Sequence, residues 1–185
     1  MKRIGILLWV FIMLSGCAVR PAEMDRAMNL RSKLLSNSVS FDAEITADYG
    51  DTTYAFEIQC STDTQGNLRF TVTKPEVISG ITGTVSTNVG RLTFDDTALA
   101  FDLMADGQLS PVSAPWILMR ALRSGYLTSC AAEGDLLRIA VDDSYEEDAL
   151  HLDVWLNEAD IPTQSEIFWK GRRLLTIIVK NFTFS

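Results

Sequence analysis

The chain contains one histidine, His151, and catalysis would have to involve it if the protein used acid–base chemistry of the serine-hydrolase type. Asp153 follows two positions later, so the two side chains lie on the same face of an extended strand and can touch. A hydrolase would also need an exposed serine and a motif that presents it. No Gly-x-Ser-x-Gly, His-Glu-x-x-His or Ser-x-x-Lys pattern occurs. We therefore expect a polar strand face with a surface histidine, no catalytic residues and no enzymatic activity.

A dense acidic stretch, Asp142–Asp148, precedes this histidine. Carboxylates at this density could hold Ca²⁺, but the spacing lacks the ordered ligands and the turn glycine of an EF-hand loop. We expect a solvated hairpin loop, no metal site and no cofactor. An acidic loop can also dock a basic partner, and Trp155, with Phe168 or Trp169, would add aromatic surface if it faces outward rather than into the core. The candidate docking residues are Asp142, Asp143, Glu146, Glu147 and Trp155.

The first seventeen residues have the order of a lipoprotein signal. A basic start, Met1-Lys2-Arg3, precedes an apolar run of about ten residues, which is too short for the roughly 20 residues of a membrane-spanning helix. Leu14-Ser15-Gly16-Cys17 then resembles the bacterial lipobox, whose cysteine thiol receives diacylglycerol. We expect residues 1–16 to be a signal peptide, Cys17 to carry acyl chains such as palmitate, and residues 17–21 to hold the lipidated cysteine and a short tether. The alternative is an ordinary signal peptide with a chance cysteine.

Acylation and charge together define the expected location. Two or more acyl chains hold a protein durably on a membrane, so the membrane contact would be Cys17 and the rest an extracytoplasmic domain. In a cell with two membranes, that membrane could be the outer one. The chain has 16 Lys and Arg against 24 Asp and Glu, a net charge of −8. This acidity argues against nucleic acid as a partner and against a polybasic attachment to anionic lipid.

Two further cysteines, Cys60 and Cys130, remain after Cys17. An even number of cysteines in an exported domain favours a disulfide between them, which would close a loop of about 70 residues. The alternative is two separate buried thiols that act as small hydrophobic residues. Two cysteines and one histidine at scattered positions fall short of a four-ligand zinc set.

Hydrophobic periodicity predicts two helices and a series of hairpin-linked strands. The first helix covers residues 22–36. The second covers 113–124, with Ser113 as N-cap and Gly125 as its stop, and Arg120 and Arg123 facing water. Between and after them, alternation predicts strands near 41–49, 54–60, 68–72, 77–86, 91–95, 99–104, 126–131, 136–141, 149–156, 165–169 and 174–184. The order helix, strands, helix, strands indicates an α+β domain over residues 22–185 with a mostly antiparallel sheet.

This layout resembles the LolA/LolB-like lipoprotein-carrier superfamily, and especially the LolA-like lipoproteins of spore-forming Gram-positive bacteria. The resemblance rests on the first helix leading into Phe41-Asp42-Ala43-Glu44-Ile45, on Leu68–Pro75, on Gly107–Pro111 before the second helix and on Gly171–Phe182. It implies a curved antiparallel sheet, an unclosed half-barrel, with two helices covering the concave face. LolA carriers are soluble and not lipidated, whereas this chain has its own lipobox, which favours a tethered role over shuttling.

Two amphipathic helices can cover a curved apolar sheet only in part, and the remainder would form a groove for apolar ligands. The candidate groove-lining residues are Phe56, Phe70, Ile117, Leu118 and Leu122. We expect the groove to hold a lipid, a lipoprotein acyl chain or an apolar peptide, although side chains could equally fill it as core. The alternative function is a protein-interaction module that positions or stabilises a cell-envelope or spore-cortex enzyme.

Overall fold

The computed structural model of the chain describes residues 22–86, 89–94, 97–102, 104–105 and 108–185. The predicted signal peptide, Cys17 and the tether lie outside these residues. The helices are α1 (Ala22–Ser36) and α2 (Ala114–Ser124). The strands are β1 (Val39–Asp48), β2 (Thr53–Thr62), β3 (Leu68–Lys74), β4 (Thr82–Ser86), β5 (Val89–Phe94), β6 (Thr97–Asp102), β7 (Met104–Ala105), β8 (Gln108–Leu109), β9 (Tyr126–Glu133), β10 (Leu136–Asp142), β11 (Leu150–Leu156), β12 (Pro162–Trp169) and β13 (Arg172–Phe184).

Eleven of these strands form one antiparallel sheet, in the order β6-β5-β4-β3-β2-β1-β13-β12-β11-β10-β9. The N-terminal strands β1 to β6 pair as successive hairpins, and so do the C-terminal strands β9 to β13. The pairing of β1 with β13 joins the two series at the centre of the sheet. Because β6 and β9 are the two ends of the order, the described sheet is unclosed, and the predicted α+β class with an antiparallel half-barrel is confirmed.

One face of the sheet, called the inner face below, carries the helices. Buried and exposed positions alternate along β1 and β3, as expected for strands with one apolar face. Helix α2 lies deepest, because nine of its eleven residues are buried. Its indole at Trp116 donates to the carbonyl of Gly66 at 3.1 Å, which ties the helix to the turn between β2 and β3.

Helix α1 has one buried stripe, formed by Ala27, Leu30 and Leu34, and packs against α2 and β9. Arg31 fixes the contact between the helices. Its guanidinium donates to the carbonyl of Leu122 at 2.9 Å and to that of Gly125 at 2.7 Å. These two acceptors belong to the C-terminal end of α2, where backbone carbonyls have no partner within the helix.

The predicted helix bounds agree with the structure, but two expectations about side chains are wrong. Ser113 precedes α2 as predicted, yet its hydroxyl donates to the carbonyl of Ser110 at 2.6 Å and makes no cap hydrogen bond to the helix. Arg123 does not face water. It is 9% exposed, and its guanidinium donates to the carbonyls of Asp63, at 3.0 Å, and Thr64.

The predicted disulfide is not formed in the structure, where Cys60 and Cys130 are both free. The reason lies in the topology, since Cys60 is on β2 and Cys130 is on β9, six places away in the sheet order. Helix α1 also meets the second thiol, and Cys130 Sγ lies 3.9 Å from Met24 Sδ. The described thiols therefore match the alternative of two separate cysteines.

No helix among the described residues is both long and apolar enough to cross a lipid bilayer.

Candidate functional site

Four of the five predicted groove residues are packed in the core. Phe70 and Leu122 are 3% exposed, and Ile117 and Leu118 are 1% exposed. Helix α2 therefore fills the inner face where it lies, and at these four positions the sequence-based alternative of a filled core describes the molecule. The fifth residue, Phe56, is only half-buried.

The inner face becomes progressively exposed along β2. Its inner-face positions are Cys60 at 5% exposure, Ile58 at 1%, Phe56 half-buried and Tyr54 at 47%. The residues alternate in the same way throughout the strand, so the change does not come from the strand's own pattern. It comes from the helices, which cover the Cys60 end of β2 and leave the Tyr54 end open.

An apolar rim surrounds this open end. We define it as Tyr49, Tyr54, Phe56, Val77, Ile78 and Ile81. The ring centroid of Tyr54 lies 6.0 Å from that of Tyr49 and 6.4 Å from that of Phe56. A short 3₁₀ turn, Glu76–Ile78, follows β3 and brings Val77 to the same end of the sheet, with 84% of its surface exposed. The rim thus offers aromatic and aliphatic surface to solvent where the helices stop.

Tyr49 anchors the rim to the rest of the fold. Its hydroxyl donates to the carbonyl of Leu109 on β8. Burial, and to a lesser degree the neighbouring Tyr54, raises the pKa of this phenol above its ordinary value, so it remains a neutral donor.

A cavity lies on the opposite face of the sheet, called the outer face below. It has a volume of about 620 Å³ and spans β2 to β5. Most of its side chains are polar, and Arg69 and Arg91 stand on either side of Thr84 across three paired strands. This cavity lies on the face away from the helices and is therefore not the groove that the sequence predicts.

The candidate docking residues do not form one surface. Glu146 and Glu147 are exposed on the loop between β10 and β11, as predicted. Asp143 serves the fold instead. Its carboxylate accepts from the backbone of Leu150 at 2.7 Å and pairs with Arg120 of α2, so it fastens the loop to the helix.

Trp155 and Phe168 lie half-buried on the outer face, whereas Trp169 packs against the core. The indole of Trp155 donates to Glu133 at 3.0 Å, and the guanidinium of Arg138 lies over its ring at 5.9 Å. The aromatic surface predicted for this face is therefore present, although each ring is partly covered by neighbouring charged side chains.

His151 connects two carboxylates on this face. Its Nδ1 lies 2.7 Å from Asp142, and its Nε2 lies 3.5 Å from Asp153 Oδ1. The other oxygen of Asp153 accepts from Arg138 at 2.7 Å. This hydrogen bond is the main reason that the pKa of the Arg138 guanidinium is raised. The His151–Asp153 contact predicted from their spacing is thus made, and a second cavity of about 340 Å³ opens beside it.

Sequence reasoning missed the burial of Asp153, which is 5% exposed although it lies on the outer face. Alternation predicts only that it points away from the core. The neighbouring strands supply large outward side chains, Arg138 and Phe168 among them, that cover it. The one available signal was that outward positions of β11 and β12 carry aromatic residues.

The two described thiols are poor nucleophiles. Burial, with a smaller effect of Asp42, raises the pKa of Cys60 far above its ordinary value. Burial also raises the pKa of Cys130, helped by Glu23 and opposed by Arg31. Within the described ranges, no group of three or more His, Cys, Asp or Glu side chains is placed to hold a metal ion.

Comparison with solved structures places the architecture in a known class. The chain is 10% identical to an uncharacterized conserved protein from Thermus thermophilus, with a TM-score of 0.50 over 88% of this chain and 87% of that one. It is 9% identical to a DUF1329 family protein from Desulfovibrio piger, with a TM-score of 0.52 over 89% and 92%. It is also 9% identical to a LolA superfamily protein from Nitrosomonas europaea, with a TM-score of 0.46 over 86% and 93%.

At these identities the likeness concerns the fold alone. No protein-family model matches the chain, and no curated protein matches it. The unclosed antiparallel sheet with helices on its inner face is the α+β half-barrel that the sequence predicted, and that prediction of the fold is confirmed.

Proposed function

We propose that the protein is a membrane-anchored extracytoplasmic lipoprotein, without enzymatic activity, that binds an apolar ligand at the open end of its inner face. One observation carries the proposal. Along β2, inner-face positions change from core at Ile58, 1% exposed, to open surface at Tyr54, 47% exposed. Apolar surface that the fold leaves uncovered, next to a continuous apolar core, suits a lipid, an acyl chain or an apolar peptide.

The ligand would contact the apolar rim and not the centre of the concavity. The buried side chains of α2, such as Leu118, are already packed and leave no room for it. The aromatic rings of Tyr54 and Phe56 present flat apolar faces, with their centroids 6.4 Å apart. Apolar chains pack well on such faces, because rings bury much area with few rotatable bonds.

Cys17 would provide the membrane anchor. Its lipidation is expected from the lipobox-like segment of the sequence, and a chain fixed in this way stays attached to the membrane surface. Replacing the thiol by Cys17→Ala is expected to abolish acylation and to move the protein from the membrane fraction to the aqueous phase. Labelled palmitate incorporation and detergent phase partitioning measure both effects. Undiminished palmitate incorporation in the variant would contradict the proposed anchor.

The ligand proposal is tested by photolabelling the purified full-length protein with a photoreactive palmitate analogue. Labelled peptides are expected to map to residues 49–58 and 76–81. Phe56→Ser should reduce the labelling at least threefold, because it removes the central ring of the rim. Tyr145→Ser, which removes a ring that is 83% exposed beside Tyr126 and far along the chain from the rim, is the matched control and should leave it unchanged.

Labelling that is spread evenly over the surface, or that is insensitive to Phe56→Ser, would exclude the rim as the binding site. Because the analogue is added after purification, light-dependent labelling is separate from acylation at Cys17.

A protein-interaction module that positions a cell-envelope or spore-cortex enzyme is the second candidate. It is favoured by the exposed acidic residues Glu146 and Glu147 on the loop between β10 and β11. The substitution Glu146→Gln with Glu147→Gln should then reduce recovery of a stoichiometric partner after crosslinking in membranes, while photolabelling at the rim persists. Recovery that is equal for the variant and the wild type would exclude this loop as the docking surface.

A further inference from the structure

The smaller cavity of the outer face contains a buried carboxylate oxygen without a hydrogen-bond donor. The cavity measures about 340 Å³ and is lined by Glu147, Ala149, His151, Asp153, Phe168, Lys170 and Gly171. Asp153 Oδ2 accepts from Arg138 at 2.7 Å, but Asp153 Oδ1 is buried and has no hydrogen-bond partner. Buried carboxylate oxygens are nearly always satisfied, because leaving one unpaired costs about 1–3 kcal/mol or more. The missing element is therefore a donor.

His151 supplies a second acceptor at the same place. With a hydrogen on Nδ1, the imidazole donates to Asp142, 2.7 Å away, and its Nε2 becomes an acceptor. That Nε2 lies 3.5 Å from Asp153 Oδ1, so two acceptors converge. A group with two or more N–H donors can satisfy both, as an ammonium or a guanidinium does.

The charges of the cavity also favour a cation. Glu147 and Asp153 contribute two negative charges to its lining and Lys170 one positive charge, which leaves one negative charge in excess. Lys170 is paired with Asp148 at 2.9 Å and Asp153 with Arg138 at 2.7 Å, and because these two partners have opposite charges the excess of one negative charge remains. The ring of Phe168 forms an aromatic wall, and a cation is attracted to the face of such a ring.

The cation that fits is organic. The two acceptors, one imidazole and one carboxylate, are too few for a protein metal site. The described residues also contain no group of three or more metal-binding side chains. An aromatic wall likewise suits an alkyl stem with a charged head.

We infer that this cavity binds an alkylammonium or guanidinium head group, with Asp153 Oδ1 as its anchoring acceptor and Phe168 as its aromatic wall. The imidazole of His151 covers Oδ1, and its side chain is 40% exposed, so it has room to swing outward when the head group enters. The site is independent of the proposed apolar ligand, because it lies on the outer face of β11 and β12 while the rim lies beyond the helices on the inner face.

The test uses the purified full-length protein. The probes are n-butylammonium and n-butylguanidinium, and the neutral N-butylacetamide is the control. Titration of the cations is expected to shift the NMR signals of the His151 imidazole and the Phe168 ring saturably, and the neutral compound should shift neither. Absence of a saturable shift with both cations would overturn the proposal.

Three variants locate the site. Asp153→Asn removes the charge with little change of shape and should weaken binding at least tenfold, since charge-assisted hydrogen bonds are the strong ones. Phe168→Leu keeps an apolar wall without the ring and should weaken binding about two- to fivefold. Glu158→Gln, on the exposed loop between β11 and β12 outside the cavity, is the matched control and should have no effect. If Asp153→Asn bound the cations as tightly as the wild type, the assignment would be overturned. If Asp153→Asn does not fold, Phe168→Leu decides instead, and wild-type affinity in that variant would overturn the assignment.

The same chemistry could come from a free amine or from a basic side chain of a protein partner. A short peptide with one central lysine, titrated beside n-butylammonium, distinguishes these sources. Equal affinities indicate that the head group alone is recognised, whereas markedly tighter binding of the peptide indicates a partner segment. Binding at the rim is measured by photolabelling, so failure of cation binding leaves the apolar-ligand proposal standing.

Discussion

The two halves of the sheet have the same apolar pattern on the inner face, but this face is covered to different extents in the two halves. In the C-terminal half, the inner residues of β10 and β11, such as Leu137 and Leu152, are fully buried. In the N-terminal half, Tyr54 lies near the start of β2 and is 47% exposed. The comparison teaches that strand periodicity selects the apolar face, while the helices decide how much of that face becomes core.

Element dimensions explain why coverage is incomplete. The eleven residues of α2 form a helix about 16 Å long, and the fifteen residues of α1 form one about 22 Å long. Eleven strands spaced by about 4.8 Å span about 48 Å along the sheet. Two helices about 10 Å wide cannot cover such a surface, so part of the inner face stays without a helix.

The largest effect is expected from Leu118→Ala, which truncates a buried side chain of α2 that is 1% exposed. It should lower the free energy of unfolding by about 2–5 kcal/mol, because it leaves a cavity in packed core. Tyr54→Ala at the uncovered end removes a larger side chain but should cost less than about 1 kcal/mol. Urea unfolding followed by circular dichroism measures both. Equal losses would mean that helix coverage does not distinguish the two halves.

A smaller effect is expected from Gly83→Ala in β4, in the N-terminal half. A methyl group there would meet the ring of Phe70, which is 3% exposed, and lie 2.7 Å from the carbonyl of Arg91. Because backbone must shift, the substitution should destabilise the protein by about 1–3 kcal/mol. Thr84→Ala, one residue along on the outer face, is the control and should change stability by less than about 0.5 kcal/mol. If the two variants unfold alike, β4 is more loosely packed against β3 than the structure indicates.

The sequence was sufficient for the elements and their order, because periodicity and turn residues are local. The predicted helix at 22–36 coincides with α1, and the strand order follows once each hairpin pairs with its neighbour. The burial of a side chain by distant parts of the chain could not be predicted in this way. The burial of Arg123 depends on a turn 59 residues or more earlier in the chain, and that of Asp153 depends on side chains from two neighbouring strands.

The same limit applies to the candidate sites. Phe56 and Leu118 look equivalent as apolar residues of amphipathic elements, yet Leu118 of α2 is packed in the core while Phe56 is only half-buried. Nothing local in the sequence distinguishes them. The difference follows from the packing direction of α2, which is fixed by distant contacts such as the one from Arg31 of α1 to the carbonyl of Leu122.

The smallest predicted effect concerns Asp63, in the turn between β2 and β3 that is bonded to α2. Burial alone would raise the pKa of this carboxyl. Hydrogen bonds from the side chain and backbone of Asn67 and from the backbone of Gln65 and Gly66 outweigh that effect and hold the pKa below its ordinary value. The ionised carboxylate therefore stabilises the fold above about pH 4, the usual aspartate value, and this contribution is lost as pH falls through the lowered pKa.

Asp63→Asn should remove that part of the acid dependence. Because the group is largely exposed, the wild type should gain less than about 1 kcal/mol over the variant at neutral pH, and the gain should vanish in acid. Asp51→Asn, in the exposed turn between β1 and β2, is the matched control. Urea unfolding at several pH values measures the difference. A wild-type advantage that persists below the lowered pKa would show that the turn is held by Arg123 and Trp116 of α2 alone, through their bonds to the carbonyls of Asp63 and Gly66.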